Sequence, residues 1–165
     1  MKIKLDVVGD QLLASELKIL TAFQKNQAPK TKGAKAESSV SVDHWSDKGL
    51  KEEFHNLKSS KNYKAAKDET ISFTGATGET VWVVGLGDKS KFEAEDIRKV
   101  IAEILKGTRS SKFKTIGIDI PGFNTIRDEV RTTQVVAEAA YLTGYTFDKY
   151  KSKKPEPYHY TVVLA

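Results

Sequence analysis

The most suggestive chemistry in the chain is Gly85-Leu86-Gly87-Asp88, directly after the apolar run Val81-Trp82-Val83-Val84. Two glycines at a strand-to-helix turn let backbone amides approach a pyrophosphate, as in dinucleotide-binding proteins. Ser90 stands where the third glycine of that pattern belongs, and Asp88 would bring negative charge to the phosphates. The spacing therefore favours a tight structural turn over a phosphate cradle. His44, His55 and His159 are far apart and lack His-x-x-x-His spacing, so packing or surface roles suit them better than metal ligation. Asp119 and Asp148 stand alone, and solvated or capping roles are expected for both. The chain contains no Gly-x-Ser-x-Gly elbow, P-loop or His-Glu-x-x-His. It has no cysteine, which excludes disulfides and thiolate metal sites. No catalytic, cofactor-binding or metal-ligating residue is assigned on these grounds.

What remains is lysine. The net charge is +5, and the only arginines are Arg98, Arg109, Arg127 and Arg131. Lysine gives a diffuse positive field, whereas arginine supplies the planar fork that reads bases and clamps phosphates. A solubilising surface is the simpler reading of this excess. The competing reading is weak, sequence-independent DNA binding. Its candidate residues are Lys25, Lys30, Lys32 and Lys35, with Lys149, Lys151, Lys153 and Lys154.

The elements that would position these residues follow from periodicity. At 165 residues, with 39% hydrophobic and 30% charged, the chain fits one globular domain spanning 1–165. Val81–Val84 is apolar on both faces, which predicts an interior strand with Trp82 buried. Ile97, Val100, Ile101, Ile104 and Leu105 form one helical stripe. That helix starts either at Ser90, boxed with Glu93, or at Glu93 with Phe92 stapled onto Ile97. Gly107 suits a left-handed stop. Ile3, Leu5 and Val7 alternate as a half-buried strand, and Glu16–Gln24 fits strand or helix. Lys25–Lys35 and Lys58–Lys67 read as polar connections; Ser38–Val42 is a short strand candidate, with Trp45 an anchor. Ser46 or Asp47 would cap a helix carrying Leu50, Phe54 and Leu57. Thr70–Phe73 and Val81–Val84 flank a glycine-containing turn and read as a hairpin. Ile116, Ile118 and Ile120 alternate before Pro121-Gly122. Arg127–Thr143 is helical, with Val130, Gln134, Ala137 and Tyr141 down one side, and Tyr160–Leu164 is a last strand. Strands alternating with helices predict an α/β three-layer sandwich with a mixed sheet. The N-terminus lacks the apolar core of a signal peptide and no stretch could span a bilayer, so a cytoplasmic location is expected.

Two stretches carry a family resemblance. Val81–Lys99, VWVVGLGDKSKFEAEDIRK, is similar to the Val-Gly-Leu-Gly segment of the N-terminal domain in the leucyl (cytosol) aminopeptidase family. Gly144–Lys154, GYTFDKYKSKK, resembles that family's Tyr-x-Phe-Asp-x-Tyr-Lys-Ser-Lys signature. Read without the family, Tyr145, Phe147 and Tyr150 would tether this connection to the core while the lysines stay in water. The resemblance implies a macro-domain-like α/β/α fold and makes Glu16–Gln24 a strand. It also implies that peptidase chemistry, with two divalent metals (zinc or manganese), belongs to a separate C-terminal catalytic domain. That domain's Asn-Thr-Asp-Ala-Glu-Gly-Arg motif has no counterpart here. The implied function is a non-catalytic, assembly or regulatory domain of an enzyme that removes N-terminal amino acids from peptides. In that family the full-length protein is a homohexamer, and some members bind DNA. Two other readings stay open: a nucleic-acid-binding regulatory domain, and a macro-type module that binds ADP-ribose. The latter lacks its Asn-Ala-Ala-Asn segment and glycine-rich phosphate loops.

Overall fold

A computed structural model describes residues 2–7, 15–26, 38–45, 47–111, 113–123, 128–145 and 159–164. The strands are β1 (Lys2–Val7), β2 (Leu17–Asn26), β3 (Ser38–Ser41), β4 (Thr70–Thr74), β5 (Thr80–Asp88), β6 (Thr115–Ile118) and β7 (His159–Leu164). The helices are α1 (Lys48–Ser60), α2 (Ala94–Gly107) and α3 (Glu129–Thr143). All seven strands form one sheet in the order β1-β7-β6-β2-β5-β4, with β3 added alongside β2. β1, β7, β6, β2 and β5 run parallel, while β3 and β4 pair antiparallel to β2 and β5. The sheet is mixed, and Glu16–Gln24 resolves as strand.

Its two faces bury different side chains, as the period of two requires. Leu17, Ile19 and Phe23 of β2, with Val84 and Leu86 of β5, pack under α2 and α3. Leu20 and Ala22 of β2, with Val81 and Val83 of β5, pack against Leu50 and Phe54 of α1. Helices cover both faces, so the three-layer α/β/α expectation holds. Asp47 caps α1 by accepting from the Leu50 amide at 3.1 Å, an interaction whose removal costs about 1 kcal/mol. Among the described residues no helix is long and apolar enough to cross a membrane.

Several local expectations give way. Trp82 is only half-buried; it packs edge-on against Phe113 at the rim of the layer that α2 covers, beside Gly107. Of the two starts expected for α2, the Glu93 one is taken: Glu93 is the N-cap and its amide donates to the Asp96 carboxylate, while Ser90 donates to Asp88 in a 3-10 turn. Gly107 is helical (φ −62°), and the chain continues into a second 3-10 turn, so no left-handed stop is used. α3 buries Thr132, Val135, Val136, Ala139 and Ala140, not the Val130–Tyr141 side. Tyr145 is 72% exposed and tethers nothing to the core; Phe147 and Tyr150 lie outside the described residues. Within Lys58–Lys67, Tyr63 and Ala65 are buried rather than solvated.

Gly85 and Gly87 do not break the strand either. β5 runs through both, and the segment before β4 lies against them. The Gly85 amide donates to the Glu69 carbonyl at 2.7 Å and the Gly87 amide to the Ala65 carbonyl at 3.0 Å. A Cβ on Gly85 would lie 2.2 Å from the Ala66 carbonyl oxygen, which no rotamer change relieves. Gly85→Ala should therefore cost about 3 kcal/mol, the upper range for overpacking against backbone. Gly78, at φ +87° with open space around it, should cost only about 1–2 kcal/mol on change to Ala. Urea midpoints of the two variants check this; equal losses would contradict it.

Candidate functional site

In open α/β sheets the ligand crevice lies beyond the carboxyl ends of the strands, where successive connections leave in opposite directions. Here β2 leads to α1 on one face, whereas β6, its parallel neighbour, leads to α3 on the other. The β2/β6 boundary is thus where such a crevice falls in this sheet.

Three polar side chains converge there. Thr21 comes from the middle of β2, Asp119 directly follows β6, and His44 follows β3. The Asp119 amide bonds to the Ile19 carbonyl at 3.1 Å, which extends the β2–β6 ladder by one residue and fixes the carboxyl group. Thr21 Oγ1 lies 3.3 Å from His44 Nε2, and His44 Nε2 lies 3.9 Å from Asp119 Oδ2. The adjacent Trp45 indole donates to the Thr21 carbonyl at 2.8 Å, fixing the turn that carries His44.

Both titratable groups are set by burial. Burial pushes the Asp119 carboxyl up to about 7, against a hydrogen bond from the Gly122 backbone that favours the anion. Burial pulls His44 down to about 4; a hydrogen bond to Thr21 and the charge of Asp43 oppose this, while Lys89 and Lys51 add to it. At 3.9 Å the two side chains are beyond hydrogen-bond reach, so desolvation outweighs their attraction and both favour the neutral form. Asp119 Oδ2 is buried without a hydrogen-bond partner among the described residues. A neutral acid beside a neutral imidazole could exchange protons, but the space is taken. A Cβ on Gly122 would meet Thr21 Oγ1 at 2.1 Å, and both Asp119 Oδ2 and His44 Nε2 at 3.0 Å. The chain's own atoms plug the crevice.

The other sequence candidates separate. The amides of Gly85 and Gly87 are spent on Glu69 and Ala65, so they cannot cradle a phosphate. His55 is exposed on α1. Lys25, at the end of β2, pairs with Asp43 at 2.6 Å. Lys30, Lys32, Lys35, Lys149, Lys151, Lys153, Lys154 and Asp148 lie outside the described residues, as does Ser46. Among the described residues no three His, Asp or Glu side chains gather to hold a metal ion. The solvated or capping role expected for Asp119 is replaced by burial. Its sequence signal was its place, one residue beyond an interior strand.

Comparison with known proteins fits this architecture. The profile of the cytosol aminopeptidase family's N-terminal domain matches residues 22–154. The chain belongs to that family. A probable cytosol aminopeptidase from Aquifex aeolicus is 31% identical over 111 residues, covering 66% of this chain and 22% of the relative. One from Synechococcus sp. is 37% identical over 75 residues, covering 45% of this chain and 14% of the relative. The matched stretches thus span 22% and 14% of the length of these aminopeptidases. A tomato leucine aminopeptidase variant shares the fold, with a TM-score of 0.69 at 12% identity over 99% of this chain and 32% of that one. The bottromycin maturation enzyme BotP does so at 0.59 and 19% identity, over 92% of this chain and 27% of that one.

The plug in this aminopeptidase-family domain has a signature in pH. Asp119, raised above its ordinary 3.8, contributes stability that is present at low pH and lost as pH rises to about 7. His44, lowered from 6.5, does the reverse and gains between about 4 and 6.5. The two offset each other in the wild type. Relative to it, Asp119→Asn should gain stability as pH rises from 3.8 to about 7, and His44→Gln should lose it from about 4 to 6.5. Denaturation at a series of pH values reads both; difference curves that are flat would contradict the burial argument.

Proposed function

We propose that this chain is the non-catalytic N-terminal domain of a leucyl-aminopeptidase-type enzyme, with a role in assembly or regulation. The observation that carries the reading is the match of residues 22–154 to the N-terminal-domain profile, with the aligned stretch covering only 22% of the Aquifex relative. Peptide hydrolysis on two divalent metals, zinc or manganese, then belongs to a separate C-terminal catalytic domain. That domain is the main partner, within a homohexamer of the full-length protein. The outer face of α3 supports an assembly role. Tyr141 and Leu142 in its last turn, with Tyr145 just beyond it, are each at least two-thirds exposed and give that end of α3 apolar side chains open to a protein contact. The ADP-ribose alternative gains nothing from the plugged β2/β6 crevice. Nucleic-acid binding gains nothing from Lys25, whose charge Asp43 already meets.

Purified 1–165 should release no amino acid from leucyl substrates, with or without added manganese or zinc. Its melting temperature should not rise with either metal, because tight binding to the native state would stabilise it by RT ln(1 + [L]/Kd). Turnover that co-purifies with the chain and is abolished by a substitution within it would overturn the assignment.

A further inference from the structure

With the β2/β6 crevice filled, the open space lies across the sheet. A cavity of about 440 Å³ sits on the α2 face between α2 and the outer strands β4 and β5. Its origin is a mismatch of layers: α2 covers β5 but stops short of β4. Ile71 of β4 is therefore buried under α1, while Thr70 and Ser72 are exposed on the opposite face. Trp82 forms the cavity wall, and Gly107, which has no side chain to fill the space, stands over the indole. The volume falls in the range of small-ligand sites.

The charges at this cavity define its ligand. Asp68 enters from the loop before β4 and Glu103 from α2. Both are exposed, and among the described residues neither has a hydrogen bond or ion pair. Lys67, a cation close enough to feel both, is held by Asp96 at 2.9 Å. In a chain of net charge +5, two uncommitted carboxylates thus flank an indole and two hydroxyls. We infer that this cavity binds a guanidinium group, carried by free arginine or by an arginine side chain of a peptide. A guanidinium is planar and weakly hydrated, so it stacks on Trp82 and still offers five N–H donors to Asp68, Glu103, Thr70 and Ser72. An ammonium has the charge without the stacking plane, and it holds its water more tightly.

Trp82 reports on its own site, because the only other indole, Trp45, is buried and hydrogen-bonded to Thr21. Tryptophan emission of the 1–165 chain is titrated with L-arginine, Nα-acetyl-arginine amide, Nα-acetyl-lysine amide and Nα-acetyl-citrulline amide, the neutral isostere. The expected result is a saturable change with one or both arginine compounds, which also identifies the free or peptide source. Lysine should bind distinctly more weakly and citrulline not at all, and added salt should weaken the arginine response. Glu103→Gln and Asp68→Asn should each weaken binding at least about tenfold, the loss of one charge-assisted contact. Asn tolerates the left-handed φ of +68° at position 68, so that fold is kept. No saturable change, citrulline or lysine binding as well as arginine, or indifference to both substitutions would each overturn the inference.

Discussion

The fold depends on one close backbone approach. The segment from Tyr63 to Glu69 lies against the end of β5, and only a glycine at 85 leaves room for the Ala66 carbonyl. Three hydrogen bonds hold this junction: the amides of Gly85 and Gly87 bond to the carbonyls of Glu69 and Ala65, and the Tyr63 hydroxyl donates to the Val83 carbonyl at 3.3 Å. The Glu69 carboxylate in turn accepts from the amides of Lys64 and Ala66, at 3.1 and 3.0 Å. Ala65 and Asp68 take left-handed backbone to make the turn (φ 53° and 68°), a cost the junction must offset. In return Tyr63 and Ala65 join the core under α1, and β4 is delivered antiparallel to the edge of the sheet.

The same junction explains where open space is found and where it is not. The Gly-x-Gly pair that resembles a phosphate loop is used internally, and the crevice between β2 and β6 is closed by Thr21, His44, Asp119 and the bare Cα of Gly122. Both places where an α/β sheet commonly meets a nucleotide are occupied by the chain's own groups. The cavity beside Trp82 exists because β4 extends the sheet past the helix layer. A fold shared with relatives does not carry its ligand site along with it; the site is set by local packing.

Much of this was legible in the residues because strong periodicity has one solution. The stripe from Ile97 to Leu105 had to face the sheet, and of the two cap candidates Ser46 and Asp47 it is Asp47 that accepts from Leu50. The VGLG segment and the aromatic-lysine signature pointed to the cytosol aminopeptidase family. α3 was misread because valine, alanine, tyrosine and leucine surround it nearly evenly; which side is buried is decided by α2 and the sheet, not by the helix. Trp82 was misread because an apolar run shows that a strand is interior, not how far the covering helix reaches. His44 and Asp119 are 75 residues apart and meet only through the strand order, which no local pattern encodes.

The β5 junction is the contact on which the fold depends, and amide hydrogen exchange tests it most directly. The amides of Gly85 and Gly87 should exchange only in the unfolding that exposes the core, as slowly as those of Ile19 and Val83 in the sheet. The Gly78 amide, in the exposed hairpin turn, should exchange far faster. Rapid exchange at both Gly85 and Gly87 in an otherwise protected sheet would show that the segment does not lie on β5, and would contradict the account.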